Sequence, residues 1–225
     1  MIVVLGSRHD PVAIDLVGRW PPAALCSAED LTRRGWAWAV PASGGPGTWV
    51  VDGSVVPDED VTGVFVRRGT VHAEELTSTH PDDRAYLAAE AHAFLVHVLA
   101  STQAVVANPV DDGGAFGEAA LRPEHWMTVA EAGGVAVSPL RVRSTGVGRP
   151  LEAAIEVELV GTDVLGAAPR TLIDAARMVG GWLGLQWAVL TFDNDERLSA
   201  ISTTPAPTPD AAARLGELLG SARGT

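Results

Sequence analysis

Residues 3–11, VVLGSRHDP, set the pattern from which the architecture follows. Three apolar residues in a row predict a short buried strand, and Gly6-Ser7 predicts a tight turn at its end. Asp10 is a favourable N-cap and Pro11 suits a first helical turn, so a helix is expected to run to about Arg19. Strand, turn and helix in this order are typical of an α/β protein.

The following residues repeat the alternation of strands and helices. The pattern predicts strands at 24–26, 61–66 and 104–107, and the longest helix at 81–100. In residues 49–56, WVVDGSVV, an Asp-Gly pair separates two β-branched runs, which is a strong signal for a β-hairpin. We therefore expect a mainly parallel, helix-covered sheet with an inserted hairpin.

The later part of the chain predicts a smaller α+β arrangement. Residues 144–150 have the composition of a linker, so we expect domains at 1–143 and 151–225. Residues 135–142 are expected to be extended. Helices are expected at 123–132, 170–183 and 210–219, and strands at 153–160, 186–192 and 198–202.

Composition limits the classes of function. The 225 residues are 47% hydrophobic and 20% charged, which is typical of a globular protein with a buried core. A net charge of −12 disfavours nucleic acid and anionic membranes as partners. One cysteine, no signal-like N-terminus and no apolar run of roughly 20 residues lead us to expect a cytoplasmic protein.

The basic residues are all arginine: there are 16 of them and no lysine. A GC-rich genome that favours arginine codons accounts for such a bias. Whatever its origin, it excludes chemistry that needs a lysine amine, such as a Schiff base or the phosphate contact of a P-loop.

Polar residues follow the predicted strands. Because ligands of open α/β sheets bind at the carboxyl ends of strands, we predict that Arg8, Arg67, Arg68 and Asn108 bind a carboxylate-sized ligand. The alternative is that the arginines are solvated at strand ends and that Asn108 caps a turn.

The sequence gives weaker support for acid–base residues than for the ligand-binding residues. His9 and Asp10 stand at the end of the first strand and are the catalytic candidates. The polar loop of residues 72–80 contains His72, Glu74, Glu75 and His80, which are acid–base groups in one interpretation. We favour the other interpretation, a solvated loop.

The order of these motifs resembles the ATP-grasp enzymes that cyclise or extend peptides, including the microviridin and graspetide ligases. The resemblance implies a Rossmann-like pre-ATP-grasp lobe in the first domain and a truncated remnant of the ATP-grasp C-terminal lobe in the second. It covers most of the chain and rests on residues 3–11, 49–56, 61–68, 86–109, 130–139 and 176–193.

Several residues depart from the family pattern. The family binds ATP with two lysines and binds magnesium with the Glu and Asn of an E-h-N-P strand, whereas the corresponding strand here is Ala200-Ile201-Ser202-Thr203. Only a short segment separates Pro139 from Arg170, so most of the nucleotide-clamping lobe is missing. Asp193 is left as a vestigial metal ligand, and one carboxylate makes a poor Mg·ATP site. We therefore expect no cofactor and no bound metal.

These departures lead to a pseudo-ATP-grasp hypothesis: a protein without ordinary ATP-dependent ligation that binds a partner protein, a peptide or a small carboxylate in a bacterial peptide or natural-product pathway. We expect a homodimer or a heteromer with a ligase. The first alternative is an ATP-independent enzyme for a small carboxylic acid, with Arg8 and Arg67 as anchors and His9 or Asp10 as acid–base group. The second is an ATP-grasp ligase completed by a partner chain.

Overall fold

The computed structural model describes residues 1–39, 47–108, 110, 114–139 and 154–221. Residues 40–46, Pro109, residues 111–113 and the predicted linker at 144–150 lie outside this description. The chain forms two compact units, Met1–Ala120 with Ala212–Thr225, and Leu121–Ala211. The predicted domain limits at 143 and 151 also lie outside the described residues and stay a prediction.

The elements follow in the order β1 (Ile2–Leu5), α1 (Pro11–Arg19), β2 (Ala23–Cys26), α2 (Ala28–Leu31), β3 (Thr48–Val51), β4 (Ser54–Pro57), β5 (Gly63–Val66), α3 (Arg84–Ser101), β6 (Val105–Ala107), α4 (Pro123–Ala132), β7 (Ile155–Val160), β8 (Asp163–Leu165), α5 (Arg170–Trp182), β9 (Trp187–Phe192), β10 (Leu198–Ser202) and α6 (Pro209–Gly220). Short 3₁₀ turns include Asp58–Asp60, Ala73–Glu75 and Pro81–Asp83.

The first unit is built on a parallel sheet of four strands in the order β2-β1-β5-β6. Side chains alternate between its two faces. On one face, Val3 and Leu5 belong to the same buried cluster as Leu95 of α3. On the other face, Phe65 packs edge-on against Trp20, with ring centroids 5.5 Å apart. The predicted α/β class and mainly parallel sheet of this unit are therefore confirmed.

The predicted hairpin is confirmed as the antiparallel pair β3–β4. Asp52 and Gly53 at its tip have φ angles of 46° and 75°, and this left-handed pair suits the twist of a two-residue hairpin. Before the hairpin, Ala37 makes an isolated antiparallel bridge to Thr48.

A buried aspartate ties the hairpin to α3. Asp58 accepts hydrogen bonds from Trp49 Nε1 at 2.9 Å and from Thr102 Oγ1 at 2.6 Å. The backbone N–H of Gln103 also donates to its carboxylate, at 3.5 Å. Asp58 is 5% exposed, so this carboxylate depends on protein donors instead of water.

The second unit contains an antiparallel sheet in the order β10-β9-β7-β8. A separate buried cluster joins this sheet to α4 and α5, with Leu159, Val179 and Leu190 among its members. In the segment predicted to be extended, Val137 makes a parallel bridge with Leu198. The α+β class predicted for this part is therefore confirmed.

The helix α6 contributes all but its first three residues to the first unit. The Trp20 indole N–H donates to the carbonyl oxygen of Ala212 at 2.7 Å. Gly63 is required at the start of β5, because a Cβ there would lie 2.5 Å from the Leu219 carbonyl oxygen. Residues 212–221 thus cover the side of the parallel sheet at which its strands begin.

Among the described residues, no helix combines the length and the apolar composition that crossing a membrane requires.

Candidate functional site

The predicted site residues of the first unit lie where its chain topology reverses. β1 continues through α1 to β2 on one side, while β5 continues through α3 to β6 on the other, and β1 and β5 are neighbours. In open α/β sheets, ligands bind outside the carboxyl ends of the strands at this switch point. The residues that follow β1 and β5 are therefore in the expected position for a site.

Arg67 and Asp10 form a two-point ion pair across the switch point. Arg67 Nε lies 3.0 Å from Asp10 Oδ2, and Nη2 lies 3.4 Å from Oδ1. The side chains are 7% and 18% exposed. Asp10 Oδ1 also accepts from the Val12 N–H at 3.0 Å and caps α1. This geometry gives both residues a structural role, and the ligand-binding and acid–base roles predicted for them stay predictions.

Arg68 points to a different partner. Its Nη2 donates to Glu75 Oε2 and its Nε donates to the Thr70 carbonyl oxygen at 2.8 Å. Glu75 Oε2 also accepts from the His72 N–H at 3.1 Å. The Arg68 Nη1 is buried and has no hydrogen-bond partner in the part of the chain that the structure describes. Arg68 therefore anchors the loop that contains Glu75.

Arg8 and His9 line a pocket of about 330 Å³. We call it the strand-end pocket and define it by residues 7–9, 27–29, 74, 75 and 77. Arg8 Nη2 lies 3.1 Å from Glu29 Oε2, and its Nε donates to Ser27 Oγ at 3.3 Å. His9 is exposed, and its backbone N–H donates to Ser7 Oγ at 3.2 Å.

The structure brings together only part of the predicted set. Arg67, Arg68 and Asn108 do not line the strand-end pocket, and Asn108 is buried at 3% exposure after β6. Glu74 and Glu75, which we expected in a solvated loop, contribute to its wall. The sequence signal that could have identified them is their negative charge, which follows soon after the positive Arg67-Arg68 pair.

The charge of this pocket is mainly negative. Its lining has one arginine, Arg8, and three glutamates, Glu29, Glu74 and Glu75. Arg8 is paired with Glu29, and Arg68 neutralises Glu75. A carboxylate ligand would therefore meet like charges here.

The cysteine next to this region is a packed core residue. Burial raises the pKa of the Cys26 thiol far above its usual value; the Asp30 charge raises it further and Arg68 opposes the shift. Its Sγ lies 3.5 Å from the Val50 carbonyl oxygen. A thiol held in its neutral form does not serve as a nucleophile.

Asp193 closes the turn between β9 and β10 in the second unit. Its Oδ1 accepts from the backbone N–H groups of Asp195 and Arg197, each at 2.9 Å, and its Oδ2 accepts from Ser138 Oγ. Among the described residues, no group of three His, Cys, Asp or Glu side chains is arranged to hold a metal ion. The role of Asp193 as a vestigial metal ligand stays a prediction.

These contacts predict a pH-dependent contribution to stability. Burial alone would raise the pKa of Asp193, but the hydrogen bonds from Ser138, Arg197 and Asp195 outweigh it, and the pKa lies below its usual value. Asp193→Ala should lower the free energy of unfolding by about 1–2 kcal/mol at pH 7. The carboxylate's stabilisation is complete above the unfolded-state pKa of about 3.9 and is lost as the pH falls through the folded-state value.

Urea titrations from pH 7 to pH 3 would measure this contribution. The difference between wild type and Asp193→Ala should shrink below about pH 4. Asp195→Ala is the matched control, because the Asp195 side chain is 70% exposed. Equal stability of the Asp193→Ala variant and the wild type at pH 7 would contradict the assignment.

Solved structures of ATP-grasp ligases have a fold similar to that of this chain, which agrees with the resemblance seen in the motifs. The RimK domain ATP-grasp protein of Sphaerobacter thermophilus matches with a TM-score of 0.55 and 11% identity, over 98% of this chain and 99% of that chain.

The likeness extends to ligases of ribosomally made peptides. Macrocyclase MdnC of Microcystis aeruginosa, crystallised with its precursor peptide MdnA, has a TM-score of 0.67 and 12% identity, over 97% of this chain and 99% of that chain. A RiPP-associated ATP-grasp ligase of Chryseobacterium gregarium, in complex with ADP and a leader and core peptide, has a TM-score of 0.64 and 10% identity, over 97% and 96%. At these identities the likeness shows the fold. No protein-family model and no curated protein sequence matches the chain.

Proposed function

We propose that this protein binds a peptide in a bacterial peptide or natural-product pathway and does not carry out ordinary ATP-dependent ligation by itself. One observation carries the proposal: the chain has no lysine, and the three arginines at its sheet edge are each paired with a carboxylate. The solved ligases of similar fold that were crystallised with precursor peptides support a peptide as the ligand class.

The electrostatic requirement of phosphoryl transfer gives this observation its weight. Catalysis of that reaction depends on positioning and on cations that neutralise the phosphate oxygens. Arg67 already makes a two-point contact with Asp10, and Arg68 donates to Glu75. Transferring either arginine to a phosphate would leave a carboxylate at low exposure without its cation, which is costly.

The alternative of an ATP-independent enzyme for a small acid has weaker support. It needs Arg8 and Arg67 as joint anchors, yet Arg8 lines the strand-end pocket and Arg67 does not. It also needs His9 or Asp10 as acid–base group, and the Asp10 carboxylate is occupied by the helix cap and by Arg67. We propose that the protein acts as a homodimer or as a heteromer with a full-length ligase that supplies the chemistry.

Calorimetric titration with Mg·ATP tests the claim that the protein does not carry out ordinary ATP-dependent ligation. We expect no heat change that saturates below the millimolar range, with or without a peptide substrate, because the chain has no lysine and Arg8, Arg67 and Arg68 are each paired with a carboxylate. Mass spectrometry of a precursor peptide incubated with the protein, magnesium and ATP should show no loss of water. Micromolar binding of Mg·ATP or a dehydrated peptide would overturn the proposal.

A further inference from the structure

We infer that the strand-end pocket binds a cationic side chain of a peptide, an arginine or a lysine, and not a carboxylate. The inference rests on the proposed function for the claim that the ligand is a peptide. It adds which chemical group of the peptide is recognised and which residues recognise it.

Glu74 is the expected primary contact. Its side chain belongs to an exposed residue on the wall of the pocket, and no ion pair of Glu74 occurs within the described residues. The neighbouring Glu75 is already paired with Arg68, whose side chain is 7% exposed. Glu74 therefore offers a carboxylate to a ligand without having to give up a cation.

The pocket lining includes a second carboxylate, Glu29, whose present ion pair can be exchanged. The Arg8–Glu29 pair is half-exposed, with side chains 46% and 42% accessible. Exposed ion pairs of this kind are worth little, so an incoming guanidinium can take Glu29 at low cost. Arg8 keeps its contact with Ser27 Oγ at 3.3 Å when this happens. Glu74 and Glu29 are then both available to the ligand.

The size and the remaining lining agree with a single long side chain. A volume of about 330 Å³ is at the lower end of ligand pockets, which span roughly 300–1,000 Å³. The hydroxyl groups of Ser7, Ser27 and Thr77 can accept hydrogen bonds from a guanidinium or an ammonium group. The net charge of −12 attracts a cationic peptide over longer distances.

Titration with blocked tripeptides, followed by backbone amide chemical shifts of the full chain, tests the inference. The probes are acetyl-Gly-Arg-Gly-amide, the same peptide with citrulline as a neutral isostere, and acetyl-Gly-Glu-Gly-amide. We expect the arginine peptide to shift amides within residues 7–9, 27–29 and 74–77 with a dissociation constant in the millimolar range. The citrulline peptide should bind about three- to fivefold more weakly.

Variants assign the contact. Glu74→Gln should weaken the arginine peptide about three- to fivefold, since it removes one exposed charge. Glu59→Gln is the matched control. Glu59 is exposed and precedes β5, on the side of the sheet where the parallel strands begin, whereas the pocket lies where they end. This change should therefore leave binding as it is. Unchanged amide spectra away from the pocket would show that both variants fold.

The outcomes separate the inference from the proposed function. Preferential binding of the glutamate peptide at these amides, or no shift with the arginine peptide, overturns the inference and leaves peptide binding elsewhere on the protein in place. Equal affinity of the arginine and citrulline peptides also overturns it. Micromolar binding of Mg·ATP would instead overturn the proposed function, whatever the tripeptides do.

Discussion

Replacing Asp58 by alanine should lower the free energy of unfolding by about 3–5 kcal/mol, because the change leaves three donors without their acceptor. The donors are the Trp49 indole, the Thr102 hydroxyl and the Gln103 amide, so the hairpin and the end of α3 lose their common contact. Chemical unfolding monitored by tryptophan fluorescence and by circular dichroism would measure the loss.

Two further variants sharpen this prediction. Asp58→Asn keeps an acceptor oxygen for Trp49 and Thr102 and should recover part of the loss. Asp60→Ala, a change of the same type at an exposed residue two positions away, should cost less than about 0.5 kcal/mol. A loss below about 1 kcal/mol for Asp58→Ala would show that the buried carboxylate contributes little.

The second large effect is expected at the ion pair across the switch point. Arg67→Met should lower the free energy of unfolding by about 2–3 kcal/mol, because it leaves Asp10 at 18% exposure without its cation. The double change Asp10→Asn with Arg67→Met should restore part of this stability, since the uncompensated charge is then absent. A thermodynamic cycle from the two single variants and the double variant would measure the coupling.

An exposed ion pair on α1 provides the control for this cycle. Arg19 and Asp15 lie 2.7 Å apart with side chains about half accessible, so Arg19→Met should cost less than about 1 kcal/mol. An Arg67→Met variant with the same free energy of unfolding as the wild type would contradict the structural role that we assign to the pair. It would also restore Arg67 as a candidate anchor for a ligand.

Local signals in the sequence were sufficient for most elements of the fold. Asp10-Pro11 specified the start of α1, and Asp52-Gly53 specified the hairpin tip, because each pair satisfies a backbone requirement within a few residues. The strand β8 was missed, since Asp163–Leu165 has three residues and pairs at one side only, with β7. Such a short edge strand has too little periodicity to detect.

The site was harder to predict, because the partners of charged residues are set by tertiary structure. Arg67 and Arg68 are adjacent, and neighbouring residues of an extended chain point to opposite faces. Arg67 therefore contacts Asp10 at the start of α1, while Arg68 contacts Glu75 in a later loop. Our prediction of a shared ligand did not take this alternation into account, and the alternation by itself identifies neither carboxylate.

The return of α6 to the first unit has a consequence for biosynthesis. The ribosome completes Ala120 about 90 residues before it reaches Ala212. The nascent first unit therefore cannot complete its packing until the segment that begins at Ala212 has been synthesised. During this interval the Trp20 indole lacks its acceptor, and the start of β5 is uncovered beside Gly63. Maturation of the amino-terminal half therefore depends on synthesis of residues 212–221, and until then the partly folded first unit exposes surface that the complete unit buries.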